Sequence, residues 1–260
     1  MGDIFGLLIT GPLGSVLSFI YSFTNSYGFA IVLFTIFIKL ILLPLAIKQQ
    51  KSMAEMQKIQ PLLTDIQKKY KNDKEKLQVE TMKIYQEHKV NPAGSCLPLL
   101  IQLPIIFGLY RVIYQPLTYI LKMSKEEIAK IAAELSINVR DEIKIAEQMK
   151  NINLEFLGLN LAQTPQFNAP SVIWIIPVLA ALTTYLSSKL TSTATSGSQN
   201  AQAAQMTSSM MTIFPFMTGF ICFSLPAGVG LYWVISNLIQ MLQQVALNKL
   251  FAPAIKEGKA

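Results

Sequence analysis

The chain has 260 residues, of which 52% are hydrophobic and 14% charged, with a mean hydropathy of +0.40. A soluble domain carries about 25% charge, so the balance excludes intrinsic disorder, and two cysteines exclude a disulfide scaffold. The net charge of +7 fits cytoplasmic loops rich in lysine better than a nucleic-acid site, and the lumpy apolar excess indicates an all-α membrane protein of several spans.

The first charge is Asp3, and no small-residue cleavage site follows a clean apolar core, so the start does not read as a secretory signal. Gly11, Pro12, Gly14 and several Ser and Thr weaken residues 4–24 as a span. Residues 1–26 are therefore expected to form an interfacial segment, with a helix lying in the membrane plane. Five later stretches, about 28–47, 94–121, 170–188, 207–223 and 227–248, each approach the ~20 residues that a hydrocarbon core demands.

The connecting segments set an orientation. Loop 48–93 has ten lysines against six acids, and loop 122–168 has six basic and seven acidic residues. Loop 189–206 has Lys189 alone, and the tail 249–260 has three lysines and one glutamate. Positive segments alternate as five spans require, which predicts the N-terminus outside and the C-terminus in the cytoplasm.

Within the first loop, Met53, Met56, Leu63 and Tyr70 recur near heptad spacing, and Asn72 followed by Glu75 resembles a capping box for a helix over 73–88. A helical hairpin over 49–90 follows, with a plain solvated helix pair as the structural alternative. On the opposite side, Ser124 and Glu127 open an amphipathic helix with Ile128, Ile131 and Leu135 on one face. Leu154–Leu161 is expected to bring the chain back to the membrane surface. Residues 191–206, rich in Ser, Thr, Ala and Gln, read as a loop.

Lys39 is the most informative residue. It stands near the centre of the first stretch, within a few Å of the midplane at 1.5 Å rise per residue. A charge there is unfavourable by at least ~2.5–3.5 kcal/mol, and the nearer end of the span is about 12 Å away, too far for easy snorkelling. The five stretches contain no Asp or Glu, so the counter-charge must be water, a helix C-terminus or a transient ligand. Arg111 lies close to the end of its span and can snorkel.

The last stretch carries Trp233, Asn237, Gln240 and Gln244 at i, i+4, i+7 and i+11, one helical face. They either line a polar cavity or hold helices together by hydrogen bonds. Gln102 in the second stretch has the same two readings. Thr183, Thr184 and Ser187 add polar capacity to the third, or simply bond back to their own helix.

Catalysis is not indicated. There is no intramembrane carboxylate, phosphate-binding loop or HExxH, and His88 is the only histidine. Cys96 and Cys222 read as small buried hydrophobes. A serine–lysine dyad on Lys39 would need a serine from another span. No catalytic residue, metal or cofactor is expected.

Three motifs together carry a family resemblance. Asn91-Pro-Ala-Gly-Ser-Cys-Leu-Pro-Leu-Leu-Ile-Gln102-Leu-Pro-Ile-Ile-Phe107-Gly-Leu-Tyr110 is one. Leu225-Pro-Ala-Gly-Val-Gly-Leu-Tyr232-Trp233-Val-Ile-Ser-Asn237, followed by Gln243-Gln244, is another. The run Lys48-Gln-Gln, Met53, Met56, Ile59-Gln60-Pro61 and then Tyr70-Lys-Asn-Asp is the third. Over about residues 27–250 the chain resembles the YidC/Oxa-type membrane protein insertases, without the large periplasmic domain of Gram-negative relatives.

The resemblance implies a non-enzymatic insertase of the bacterial plasma membrane. Its five-span core, 27–250, would enclose a hydrophilic groove open to the cytoplasm and the lipid. Ile38-Lys39-Leu40…Leu43-Pro44 matches the motif of the family's groove cation, commonly an arginine. Lysine differs there, because it can lose its proton when buried and arginine effectively cannot. Gln102, Thr184, Trp233, Asn237 and Gln240 are the accompanying groove candidates. Met53, Met56, Pro61 and Tyr70 are the candidate contacts on the hairpin. Expected partners are nascent membrane-protein clients, the Sec translocon, the lipid bilayer and, through the basic tail 251–260, the ribosome, with a single copy as the working unit. A rival reading is a small-solute transporter or anion channel with Lys39 as its binding site. It predicts internal repeats, and the sequence shows none.

Overall fold

The computed structural model describes residues 6–90, 97–193 and 213–256. A π-helical turn, Gly6–Thr10, leads into α1 (Gly11–Thr24). Pro12 suits the first turn, where its missing N–H is not needed. Asn25, at φ 46°, ends the helix with its N–H bonded to Tyr21 O. Next come α2 (Tyr27–Ile41) and α3 (Leu43–Lys69). The expected first span is thus interrupted at Leu42. Pro44 is the reason, since it removes an N–H and its ring crowds the carbonyl four residues back.

Helix α4 (Lys74–Glu87) completes the hairpin. Then follow α5 (Leu97–Tyr114), α6 (Pro116–Tyr119), α7 (Lys125–Glu134) and α8 (Glu142–Met149). Strands β1 (Glu155–Phe156) and β2 (Leu159–Asn160) pair antiparallel, Phe156 opposite Leu159. A 3-10 turn, Val172–Trp174, precedes α9 (Ile175–Thr193). The chain continues with α10 (Ile213–Cys222) and α11 (Ala227–Lys256). Among the described residues, Val172–Thr191 is long and apolar enough alone to cross a membrane. Tyr27–Ile41 and Leu43–Lys69 are so when taken as one broken span. Leu8–Thr24, Pro104–Tyr114 and Ile213–Cys222 are shorter apolar helices. Of the loop expected at 191–206, residues 191–193 continue α9, and the rest lies outside the described residues.

The chain divides into two units. The first comprises Met1–Leu40, Ile101–Thr184 and Pro215–Asn237. Its core gathers Leu17, Tyr27, Ile31, Phe34, Leu109, Ile113, Leu117, Ile145 and Leu161. Apart from Thr35 and Lys39, helix α2 is apolar all round, as membrane helices are. It buries Tyr27, Ile31, Phe34 and Ile38 on one face and exposes Phe29, Leu33, Ile36, Phe37 and Leu40 on the other. Tyr27 anchors it, with its N–H on Asn153 O at 2.9 Å and its hydroxyl on Ile113 O. The N-terminal segment packs on α5 and α6. Ser18 donates to Ile120 O at 3.0 Å, and Tyr119 donates to the Thr10 hydroxyl at 3.1 Å.

The Ser124–Glu127 capping box is present as expected. The buried face of α7 differs: Ile128 and Ala132 are buried, while Leu135 is exposed, because the helix ends at Glu134 and Leu135 falls outside its regular turn. Loop 154–161 is the β-hairpin, and both of its ends, Leu154 and Leu161, enter the core. The carbonyls of Leu161 and Gln163 accept the N–H groups of Gly228 and Ala227 at 2.9 Å each. They satisfy donors that the first turn of α11 leaves open.

The second unit comprises Ile41–Leu100, Tyr185–Phe214 and Leu238–Ala260. Ile59, Leu63, Ile84 and Val90 form the hairpin core, with Met56, Ile66 and Tyr85 packed against it. The cap of α4 is one residue later than the sequence suggested. Asp73 accepts from Lys76 N–H at 3.0 Å, because Asn72 is taken up by the turn that Asp73 N–H closes onto Tyr70 O. Gln50, 5% exposed, meets Asn248 at 2.8 Å and Gln244 at 3.1 Å, and Gln244 donates to Asn248 at 2.9 Å. This closed set of amides joins α3 to α11.

Candidate functional site

Lys39 lies in the last turn of α2 and is half-buried. The last four carbonyls of a helix have no N–H partner within it and carry partial negative charge. A helix C-terminus, one of the counter-charges open to Lys39, thus lies in the same turn as Lys39. At about 100° per residue, Lys39 projects roughly a quarter turn from the centre of the exposed apolar stripe of α2. It sits where the buried face meets the exposed one. An ammonium on a four-carbon stem at such a margin keeps a polar end reachable while its methylenes pack.

Asn237 and Thr184 come together. The Asn237 amide donates to the Thr184 hydroxyl at 2.8 Å and to the Thr183 hydroxyl at 3.2 Å. Thr183 also bonds back to Leu179 O at 2.7 Å. For each, the hydrogen-bonding alternative is the one observed: Thr183 bonds back within α9, and Asn237 ties α9 to α11. Trp233, one turn before Asn237 on α11, is half-buried. Gln240 is exposed on the part of α11 that belongs to the second unit. Gln102 belongs to α5, and its side chain lies outside the described residues. On the hairpin, Met53, Met56 and Tyr70 are half-buried and Pro61 is exposed inside α3. Lys69 stands 5.4 Å from the centre of the Tyr70 ring, within cation–π reach.

The first unit also holds a cavity of about 570 Å³ lined by Tyr114, Asp141, Gln166, Phe167 and Phe223, among others. None of the sequence-predicted site residues lines it. Two polar features were not singled out from sequence. One is the Gln50 amide cluster, of which the sequence picked out Gln244 alone, on the polar face of the last stretch. The other is Glu142, buried and accepting from Thr118 N–H at 2.8 Å and Thr118 hydroxyl at 2.7 Å. Burial raises the Glu142 pKa, against the lowering effect of Thr118 and Arg111. Nothing in the sequence distinguishes Glu142 from its acidic neighbours. Among the described residues, no three His, Cys, Asp or Glu side chains gather as metal ligands.

Comparison with known proteins agrees with this architecture. Residues 19–254 match the family model described as 60Kd inner membrane protein. A membrane protein insertase YidC of Fusobacterium nucleatum is 38% identical over 91% of this chain and 95% of its own length. That of Caldanaerobacter subterraneus is 36% identical over 89% and 90%. The crystal structure of an active YidC insertase with its first transmembrane domain resolved aligns with a TM-score of 0.54 at 32% identity. The alignment covers 86% of this chain and 42% of that one. The relatives are named as insertases and not as enzymes. With a family match across most of its length and insertases of its own size among its relatives, the chain belongs to the YidC family of bacterial inner-membrane protein insertases.

Proposed function

We propose that the chain works by capturing a hydrophilic client segment in a polar groove and releasing the client's apolar helix sideways into lipid. Lys39 carries the proposal. It is a half-buried cation at the end of an otherwise apolar helix, in a sequence whose apolar stretches hold no acid. An acidic N-terminal tail or short loop is the complementary ligand. The client's polar backbone gains hydration in the groove, which shortens the apolar barrier it must cross. Its apolar helix gains hydrophobic free energy in the bilayer. An inside-negative potential favours outward movement of acids by ~2.3 kcal/mol per charge per 100 mV.

In this reading five spans place the N-terminus outside and the C-terminus in the cytoplasm. Helix α1 lies at the interface, supported by its exposed Phe19 and Phe23. Residues 27–250 act as the insertase core and 251–260 as a basic tail toward the ribosome. Gln102, Thr184, Trp233, Asn237 and Gln240 solvate or stack on the client. Met53, Met56, Pro61 and Tyr70 receive it on the hairpin. One copy suffices, with or without the Sec translocon.

A photocrosslinker at Trp233 tests the path. During insertion of a single-span client it should trap the acidic tail before the apolar helix. Adducts with the apolar helix alone, at every time point, would contradict a groove that takes polar segments.

A further inference from the structure

The turn of the β-hairpin carries a side chain that turn chemistry does not ask for. Two-residue turns between antiparallel strands want positive φ at their central positions, which Gly and Asn accept and bulky residues resist. Here Leu157 has φ 51° and Gly158 has φ 77°. Leu157 is also 83% exposed, so packing within the chain does little to offset the unfavourable backbone.

Its surroundings indicate what does. Phe156 packs against the start of α2, so close that a Cβ on Gly28 would overlap its ring. The Phe156 ring meets Phe29 edge-on, with centroids 5.2 Å apart. Phe29 heads the exposed stripe of Phe29, Leu33, Ile36, Phe37 and Leu40 along α2. In a member of an inner-membrane family, such a stripe faces acyl chains. The hairpin therefore joins a lipid-facing surface at its N-terminal end, and Leu157 extends that surface by one more apolar side chain. The residues behind the tip change character: Asn153 and Glu155 are exposed and polar. Polar groups below an apolar tip suit the boundary between headgroups and hydrocarbon.

We propose that the Phe156–Leu159 turn is a membrane anchor, with Leu157 inserted into the bilayer interface beside the N-terminal end of α2. The anchor holds segment 122–168 down on the membrane surface. It requires only that α2 lies in a bilayer, and it is independent of what Lys39 does.

A spin label tests the contact directly. Leu157→Cys, in a background of Cys96→Ser and Cys222→Ala, is labelled and reconstituted into phosphatidylethanolamine–phosphatidylglycerol liposomes. The label should relax with oxygen, which concentrates in lipid, and hardly at all with a water-soluble nickel chelate. A label at Lys130, exposed on α7, should do the reverse. Dominant nickel relaxation at position 157 overturns the anchor, and so does shielding from both reagents, which would mean a protein covers the tip. Leu157→Asn gives a second reading that needs no label. Turn chemistry alone predicts slower hydrogen exchange over 150–163 with asparagine at this φ. The anchor predicts exchange several-fold faster in liposomes, and slower or unchanged exchange overturns it.

Discussion

Asn237 donates its side-chain amide to the Thr184 hydroxyl at 2.8 Å, which ties α11 to α9 within two apolar stretches. Thr184 is only 4% exposed. Polar ties of this kind in membranes contribute about 0.6 kcal/mol on average and up to ~1.7. Asn237→Leu is therefore expected to destabilise the protein by that order in a detergent unfolding titration. Thr184→Val should cost about as much, and the double variant less than the sum of the two, since both changes remove one contact. Strict additivity would show that the pair contributes nothing.

The Gln50, Gln244 and Asn248 amides are mutually satisfied. Removing the buried Gln50 leaves the half-buried Gln244 and Asn248 bonded only to each other, a loss toward the lower end of the roughly 1–3 kcal/mol for an unmade buried hydrogen bond. Gln50→Leu should therefore speed hydrogen exchange in residues 46–60 and 242–250 by one to two orders of magnitude and leave 125–150 unchanged. Unchanged exchange in both segments would show that the amides do not hold the base of the hairpin.

Glu142 predicts a pH dependence with a definite sign. Burial raises its pKa in the folded state above the ordinary 4.5. As pH rises, the unfolded chain gives up this proton first. The stabilising contribution is therefore complete below about pH 4.5 and is lost as pH climbs through the folded value. Wild type should lose thermal stability between pH 4 and 7 more steeply than Glu142→Gln. At low pH the two should be close in stability, because the glutamine amide, like the protonated carboxyl, offers Thr118 one carbonyl acceptor and one donor. Parallel profiles would remove Glu142 as the source.

Much of this arrangement is legible in the residues themselves. Capping chemistry is local, so Ser124 and Glu127 marked the start of α7 correctly. Heptad spacing found part of the hairpin core: Leu63 is buried and Met56 packs beside it, but Ile59, Ile84 and Val90 complete the core and Met53 and Tyr70 are not in it. Local signals failed where two were close together: Asn72 and Asp73 both cap well, and the turn geometry chose Asp73. Pro44 was visible, yet its break of the first span depends on where α2 stops, which composition does not encode. The Asn237 tie needed the partner helix. Spacing put Asn237 on a polar face, but only the fold set it against Thr183 and Thr184. Leu157 escaped notice because a leucine among leucines is unremarked until its φ and exposure are known.

In the function proposed above, the Lys39 charge receives acidic client segments. Insertion of a short single-span client with an acidic N-terminal tail, into liposomes holding the purified protein, tests it most directly. Wild type and Lys39→Arg should insert the client, and Lys39→Ala should fall toward the level of empty liposomes. Neutralising the client's tail should shrink the difference between wild type and Lys39→Ala. Insertion by Lys39→Ala equal to wild type would show that the Lys39 charge does not receive the client.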